Sequence, residues 1–218
     1  MNDVTYSQIR EDIMNMNLEP GTDVSVQKLS ERYGVSRTPV REAVVRLQQS
    51  GLVEIYPQRK TVVSQIDLQR VREEWFIRTS LEAAVVDEFI RKCSELVADT
   101  MLELVTKQKK YLDKEHFREY YMKDNRFHQL IFETAGEALA WRTIEDTSSH
   151  FNRMRLLHGK MNGVQQEALD QHEKMVIAAR KRDSDAMRVL VKEHSNNLLD
   201  QITIMSKQYP QFFSNEIK

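Results

Sequence analysis

Apolar residues recur at helical spacing from the start of the chain. Tyr6, Ile9 and Ile13 lie three and four apart, which predicts a helix ending before the LEPG stretch at Leu18–Gly21. Val26, Leu29 and Tyr33 repeat the pattern in a second short helix, with Ser25 placed to cap its start and Gly34 its end. Val40, Ala43, Val44 and Leu47 mark the buried stripe of a third helix. Ser36 and Thr38 are rival N-caps for it, and Gly51 closes it. Pro39 falls in its first turn, where a missing N–H does no harm. Helical periodicity then gives way to short apolar runs. LVEIY (52–56) and TVV (61–63) read as two strands around the turn PQRK. Three helices and a small hairpin predict a winged helix-turn-helix over residues 1–66.

Beyond Asp67 the pattern is helical throughout, with no glycine between Gly51 and Gly136. Long segments at about 67–93, 95–113, 116–135, 137–157, 165–182 and 184–207 predict an all-helical bundle of about six helices over residues 67–208. Residues 209–218 read as a loose tail. The expected fold class is therefore mainly α.

Composition narrows the setting. The 218 residues are 40% hydrophobic and 30% charged, as in an ordinary globular protein. The single cysteine, Cys93, cannot form an internal disulfide and fits a reducing cytoplasm. No apolar run approaches the roughly 18 residues needed to span a bilayer. The opening MNDVTYSQIREDIM also lacks the apolar stretch of a signal peptide, so the expectation is a cytoplasmic protein without a membrane partner.

A net charge of -1 means that any nucleic-acid surface must be local. Between Ser36 and Ser64 there is such a surface: Arg37, Arg41, Arg46, Arg59 and Lys60 stand against Glu42 and Glu54. Arg37 and Arg41, four apart, share the helix face opposite the apolar stripe. Arginines there can hold guanine edges bidentately in the major groove.

The stretch NLEPGTDVSVQKLSERYGVSRTPVREAVVRLQQSGLVEIYPQRKTVV resembles the DNA-binding domain of the GntR family of bacterial transcription regulators, GVSRTPVREA above all. The resemblance covers about residues 5–65. It implies base and phosphate contacts at Ser36, Arg37, Thr38 and Arg41, with Arg59 and Lys60 of the wing reaching the minor groove. Lys60 stands where relatives usually carry glycine, and a Cβ disfavours positive φ. Gln27 stands where many relatives carry a charge.

In the helical part, polar residues interrupt apolar stripes. Asp124 and His128 share a face with Tyr121, Phe127 and Ile131; His172 lies with Leu169, Val176 and Ala179; His194 lies with Val191 and Ile202. Inward polar groups need partners, because each costs about 1–3 kcal/mol if left alone. One carboxylate and three imidazoles suit a divalent ion, zinc first and nickel, manganese or iron after it. They also suit hydrogen-bonded core positions with no ion. Residues 70–205 are similar to the FCD effector domain of the FadR-type GntR subgroup. That resemblance implies a metal at Asp124 and His128 (DNRFHQLI), His172 (DQHEKMVIAARKRD) and His194 (MRVLVKEHSNNL). Arg78, in FIRTSLEAA, either clamps a carboxylate effector or pairs with Glu82 on the helix surface. Arg153 and Arg155 are further effector candidates. His116, His150 and His158 match no ligand position and read as surface or helix-end residues.

Together these readings imply a metabolite-responsive transcription regulator, a repressor by default. It would be a homodimer on a palindromic operator, with a small carboxylate bound in a metal-containing helical cavity. Two alternatives remain: a helical module that only dimerises, and a metalloenzyme. The enzyme reading has no HExxH helix to support it, and Glu173 should point away from the His172 face.

Overall fold

In the computed structural model of the chain, the backbone is described for residues 2–159 and 164–214. These residues divide into two compact units. One comprises Met1–Val71, Asp146–Met154 and Thr203–Lys218; the other comprises Arg72–Glu145 and Arg155–Ile202.

The first unit begins with α1 (Asn2–Met14), α2 (Val26–Tyr33) and α3 (Arg37–Gln49). Ser25 caps α2 by accepting a hydrogen bond from the Lys28 N–H, and Gly34 ends it in the left-handed region at φ 65°. Of the two rival caps for α3, Ser36 occupies the position, although its side chain makes no capping bond. Ile9, Ile13, Leu29, Val40, Leu47 and Leu52 are at most 1% exposed and form the core of this domain. Each such side chain contributes about 1.5–3 kcal/mol on burial.

The hairpin pairs β1 (Val53–Tyr56) with β2 (Lys60–Val63) in antiparallel register, Val53 opposite Val63 and Tyr56 opposite Lys60. Positive φ falls on Gln58, at 59°. Lys60 is already in β2, so its Cβ meets no left-handed strain and the turn does not need glycine there.

Residues 209–214 differ from the loose tail expected over 209–218; residues 215–218 lie outside the described ones. Pro210–Phe212 forms a short 3-10 turn. Ile66 N–H donates to the Phe212 carbonyl at 2.8 Å, and Ser214 N–H donates to the Ile66 carbonyl at 3.2 Å. Phe212 and Phe213 are buried, which supplies the apolar area that holds the segment down.

The helical part contains α4 (Leu68–Lys92), α5 (Glu95–Leu112), α6 (Phe117–Ala135), α7 (Ala138–Thr147), α8 (Ser149–His158), α9 (Val164–Lys181) and α10 (Ser184–Gln208). Among the described residues there are thus seven helices after the wing rather than about six. The segment expected as 137–157 breaks at Ser148, between α7 and α8. Phe89, Met101, Phe127, Phe132, Trp141, Met175 and Met187 pack the core of the second unit. No helix of the described residues is long and apolar enough to cross a membrane.

Candidate functional site

Helix α3 presents its first turns to solvent. Ser36, Arg37, Thr38 and Arg41 are all exposed, while Val40, Ala43, Val44 and Leu47 of the same helix are buried. The helix's N-terminal N–H groups and the two guanidiniums therefore face outward together, an arrangement suited to phosphates and base edges. Arg46 differs: its guanidinium lies 3.9 Å from the centre of the Tyr6 ring, held over α1. On the wing, Arg59 is exposed, and Lys60 sits 5.2 Å above the Tyr56 ring.

In the second unit, three helices bring Asp124, His128, His172 and His194 together, each offering one ligand atom within 4.8 Å of the others. Asp124, His128 and His172 are at most 3% exposed. His128 Nε2 and His172 Nε2 each lie 3.9 Å from an Asp124 oxygen, too far for a hydrogen bond. Both Nε2 atoms are buried with no hydrogen-bond partner. Unmatched buried nitrogens facing one carboxylate are what a cation would satisfy. Ligands bonded at about 2.1 Å can stand no more than about 4.2 Å apart, so closing on an ion needs a contraction of about half an ångström. The donor set fits a divalent ion.

The electrostatics agree with that fit. Burial pushes the His172 imidazole well below its ordinary range, with His194 adding to the effect. Burial and the neighbouring His128 push His194 down to about 3. Both rings are therefore neutral at pH 7 and keep a lone pair for ligation. Burial works to raise the Asp124 carboxyl, but Arg155 and the three imidazoles outweigh it and hold the group ionised well below the carboxylate range.

The sequence-predicted arginines separate. Arg155 donates to Asp124 Oδ2, and at 2.7 Å to Asn125 Oδ1; its guanidinium lies 4.9 Å from the Tyr121 ring centre. Arg78 does pair with Glu82, Nε to Oε1 at 2.8 Å, but the pair is buried rather than on the helix surface. Arg153 belongs to the first unit and does not join the cluster. It donates to the Ser64 carbonyl at 2.6 Å and the Ser64 hydroxyl at 3.1 Å, and it is fully buried. Its guanidinium is used up in holding the base of the wing, so the effector reading does not carry to it.

The three remaining histidines lie at helix ends, one of the two places expected of them. His150 is the second residue of α8 and His158 its last, and both are buried, 6% and 8% exposed. His150 Nδ1 accepts the Asp67 N–H at 3.0 Å; burial and the Arg153 charge lower its pKa to about 3. His116 does lie at a helix end, as the N-cap residue of α6. Glu173 is exposed, away from the His172 face.

Three contacts next to the cluster were not anticipated from the sequence, although Glu82 itself was named there as a partner for Arg78. Glu82 Oε1 lies 3.1 Å from His128 Nδ1, Gln108 Oε1 lies 2.8 Å from His172 Nδ1, and Gln171 Oε1 lies 3.0 Å from His194 Nδ1. Gln108 did carry a signal. It extends the buried stripe Met101, Leu104, Val105 of α5, the same polar interruption that marked the histidines. Gln171 carried none.

Comparison with known proteins gives this geometry a context. Residues 2–63 match the model of the bacterial regulatory proteins of the gntR family, and residues 75–197 match the FCD domain. The chain is 30% identical over 216 residues to the HTH-type transcriptional repressor RspR of Escherichia coli, covering 99% of this chain and 95% of that one. It is 27% identical over 194 residues to the gluconate operon transcriptional repressor of Bacillus licheniformis, covering 83% and 76%. Among solved structures, E. coli McbR/YncC shares the fold with a TM-score of 0.77 at 20% identity, over 95% of this chain and 98% of that one.

Proposed function

Since the chain belongs to the gntR family of bacterial regulatory proteins and carries an FCD domain, we propose that it acts as a repressor whose hold on operator DNA answers to a small carboxylate metabolite. It is a DNA-binding transcription regulator, as its relatives are, and not an enzyme. Two similar proteins carry the word repressor in their names, which favours repression over activation here.

On the DNA side, Arg37 and Arg41 read base edges in the major groove. Ser36 and Thr38 contact phosphates at the start of α3, and Arg59 and Lys60 follow the backbone from the wing. Arg46, held over Tyr6, adds positive field rather than a base contact. Two copies of the chain place two recognition helices on a palindromic operator, about one turn of DNA apart. The setting is the cytoplasm.

What carries the effector half of the reading is Asp124, one buried carboxylate shared by inward imidazoles and by Arg155. Asp124, His128, His172 and His194 would hold the divalent ion, zinc first among the candidates. When bound, the ion supplies Lewis-acid coordination for the oxygens of a carboxylate ligand. Arg155 supplies a second anchor: its guanidinium already holds the Asp124 carboxylate through one nitrogen and the Asn125 side-chain oxygen through another, and a carboxylate ligand would compete for the same donors. Arg78, tied to Glu82, contributes charge rather than contact. Effector binding then shifts operator affinity by the difference between its affinities for the two states of the repressor.

The test is a thermal-shift screen of sugar acids, dicarboxylates and hydroxy acids on matched metal-loaded and chelator-treated protein. A ligand at 100 times its dissociation constant should add about 2.7 kcal/mol. A stabilising acid that needs metal supports the reading. No shift from any acid and none from metal would contradict it.

A further inference from the structure

Each of the three histidines in the cluster has two ring nitrogens, and only one can face an ion. Which nitrogen keeps a bare lone pair is decided by what the other one meets. Here the other one meets a hydrogen-bond acceptor in every case, and each acceptor is a different residue. His128 Nδ1 meets Glu82 Oε1 at 3.1 Å, His172 Nδ1 meets Gln108 Oε1 at 2.8 Å, and His194 Nδ1 meets Gln171 Oε1 at 3.0 Å. An acceptor at Nδ1 requires the proton there and leaves Nε2 without one. On the inner side, Nε2 of His128 and of His172 is buried and unpartnered.

The acceptors are themselves held. Glu82 receives Arg78 Nε at 2.8 Å on Oε1 and the Ser195 hydroxyl at 3.2 Å on Oε2. The Ser195 carbonyl receives the Trp75 indole N–H at 2.7 Å. Gln108 is fully buried on the inward stripe of α5, with its Nε2 unpartnered, so its oxygen is the atom in use. Glu82, Gln108 and Gln171 come from α4, α5 and α9, so positions spread over the unit converge on three imidazoles.

We propose that Glu82, Gln108 and Gln171 are positioning residues that lock His128, His172 and His194 in the Nδ1–H tautomer and so hold three bare Nε2 lone pairs on the ion's position before any ion arrives. Free imidazole divides between its two tautomers, and each ring that had to change tautomer would weaken capture. Outer acceptors of this kind typically account for 10- to 100-fold in metal affinity. This places Glu82 in the metal's outer shell and makes Arg78 its counter-ion. The inference rests on the metal reading of Asp124, His128, His172 and His194, but the tautomers can be read without metal.

The experiment has two arms on the full chain. In the first, long-range proton–nitrogen correlation NMR of metal-free wild type reads the tautomer of each ring. Nδ1–H on His128, His172 and His194 is expected; Nε2–H on His128 or His172 would overturn the inference whatever the metal does. In the second, zinc affinity is measured by competition with a chromogenic chelator. If wild type binds no zinc, the metal reading fails independently of the tautomers. With wild-type binding established, Gln108→Met should weaken zinc 10- to 100-fold, and so should the double variant Arg78→Met/Glu82→Met, which leaves no buried charge unpaired. Arg78→Met/Glu82→Gln keeps an acceptor at position 82, likewise leaves no buried charge unpaired, and should stay near wild type, a rescue that a merely structural role would not give. Equal zinc affinity in all four proteins would overturn the inference.

Discussion

Arg37 and Arg41 stand exposed on α3, whereas Arg78 and Arg155 of the helical unit are 5% and 9% exposed, each against a carboxylate. The four side chains have the same chemistry and opposite surroundings. An exposed guanidinium keeps its hydration, costs the fold almost nothing, and is free to exchange water for a phosphate or a guanine edge. A buried one loses several kcal/mol of hydration and is tolerated only with a matched partner. Under the proposed function, the DNA-binding domain makes its contacts with charges the fold does not need. The helical unit would use charges the fold depends on, so a ligand or ion acting there would rearrange interactions that also hold the protein together.

The sharpest way to break that contrast is Arg155→Met. It leaves the Asp124 carboxylate, 2% exposed, without its cation. Metal-free protein should lose about 3–5 kcal/mol in urea unfolding. Zinc-loaded protein should lose less, because the ion supplies the missing positive charge. An equal loss in both would mean that Asp124 does not face the ion. Arg41→Ala is the counterpart on α3. Operator affinity, measured by fluorescence anisotropy on a duplex selected with the wild type, should fall by about 1–3 kcal/mol, while stability stays within about 0.5 kcal/mol.

Acid should separate the exposed and buried charges again. His150 is buried and neutral, with its folded pKa lowered from 6.5 to about 3. Between those values the unfolded chain binds the extra proton, so stability rises with pH there and is lost as pH falls below 6.5. From pH 7 to pH 5 the loss from this residue should be about 2 kcal/mol, and His150→Gln should reduce the slope of stability against pH. Lys60→Gly should have the smallest effect. The lysine is exposed and unstrained, so stability should change by less than about 0.5 kcal/mol. The salt dependence of operator binding should weaken by about one phosphate contact.

How much of this could be read from the chain follows from how local each feature is. The winged helix was legible because its signals are adjacent in sequence: Ser25 before α2, Gly34 after it, the Val40–Leu47 stripe, the alternation around PQRK. The cluster histidines were legible because each interrupts an apolar stripe, and the resemblance to FCD domains drew them to Asp124. The break at Ser148 was not, since the apolar period runs on through α7 and α8 without glycine or proline. Nor were the partners of the arginines. Arg153 and Ser64 are 89 residues apart, Arg155 and Asp124 are 31 apart, and no periodicity links them. Arg153 and Arg155 looked equivalent in the sequence, yet one braces the wing and the other lies on the Asp124 carboxylate. The described part of the C-terminal segment, up to Ser214, was misjudged from its position. Its two adjacent phenylalanines, Phe212 and Phe213, were the sign that it packs.

The most direct test is operator affinity of the full chain, measured with and without zinc across a panel of hydroxy acids, dicarboxylates and sugar acids. At least one acid should change affinity in the metal-loaded protein by 5- to 150-fold, roughly 1–3 kcal/mol of coupling, and have no such effect after chelation. Affinity that ignores every acid and the metal alike would show that the helical unit does not govern the arginines of α3.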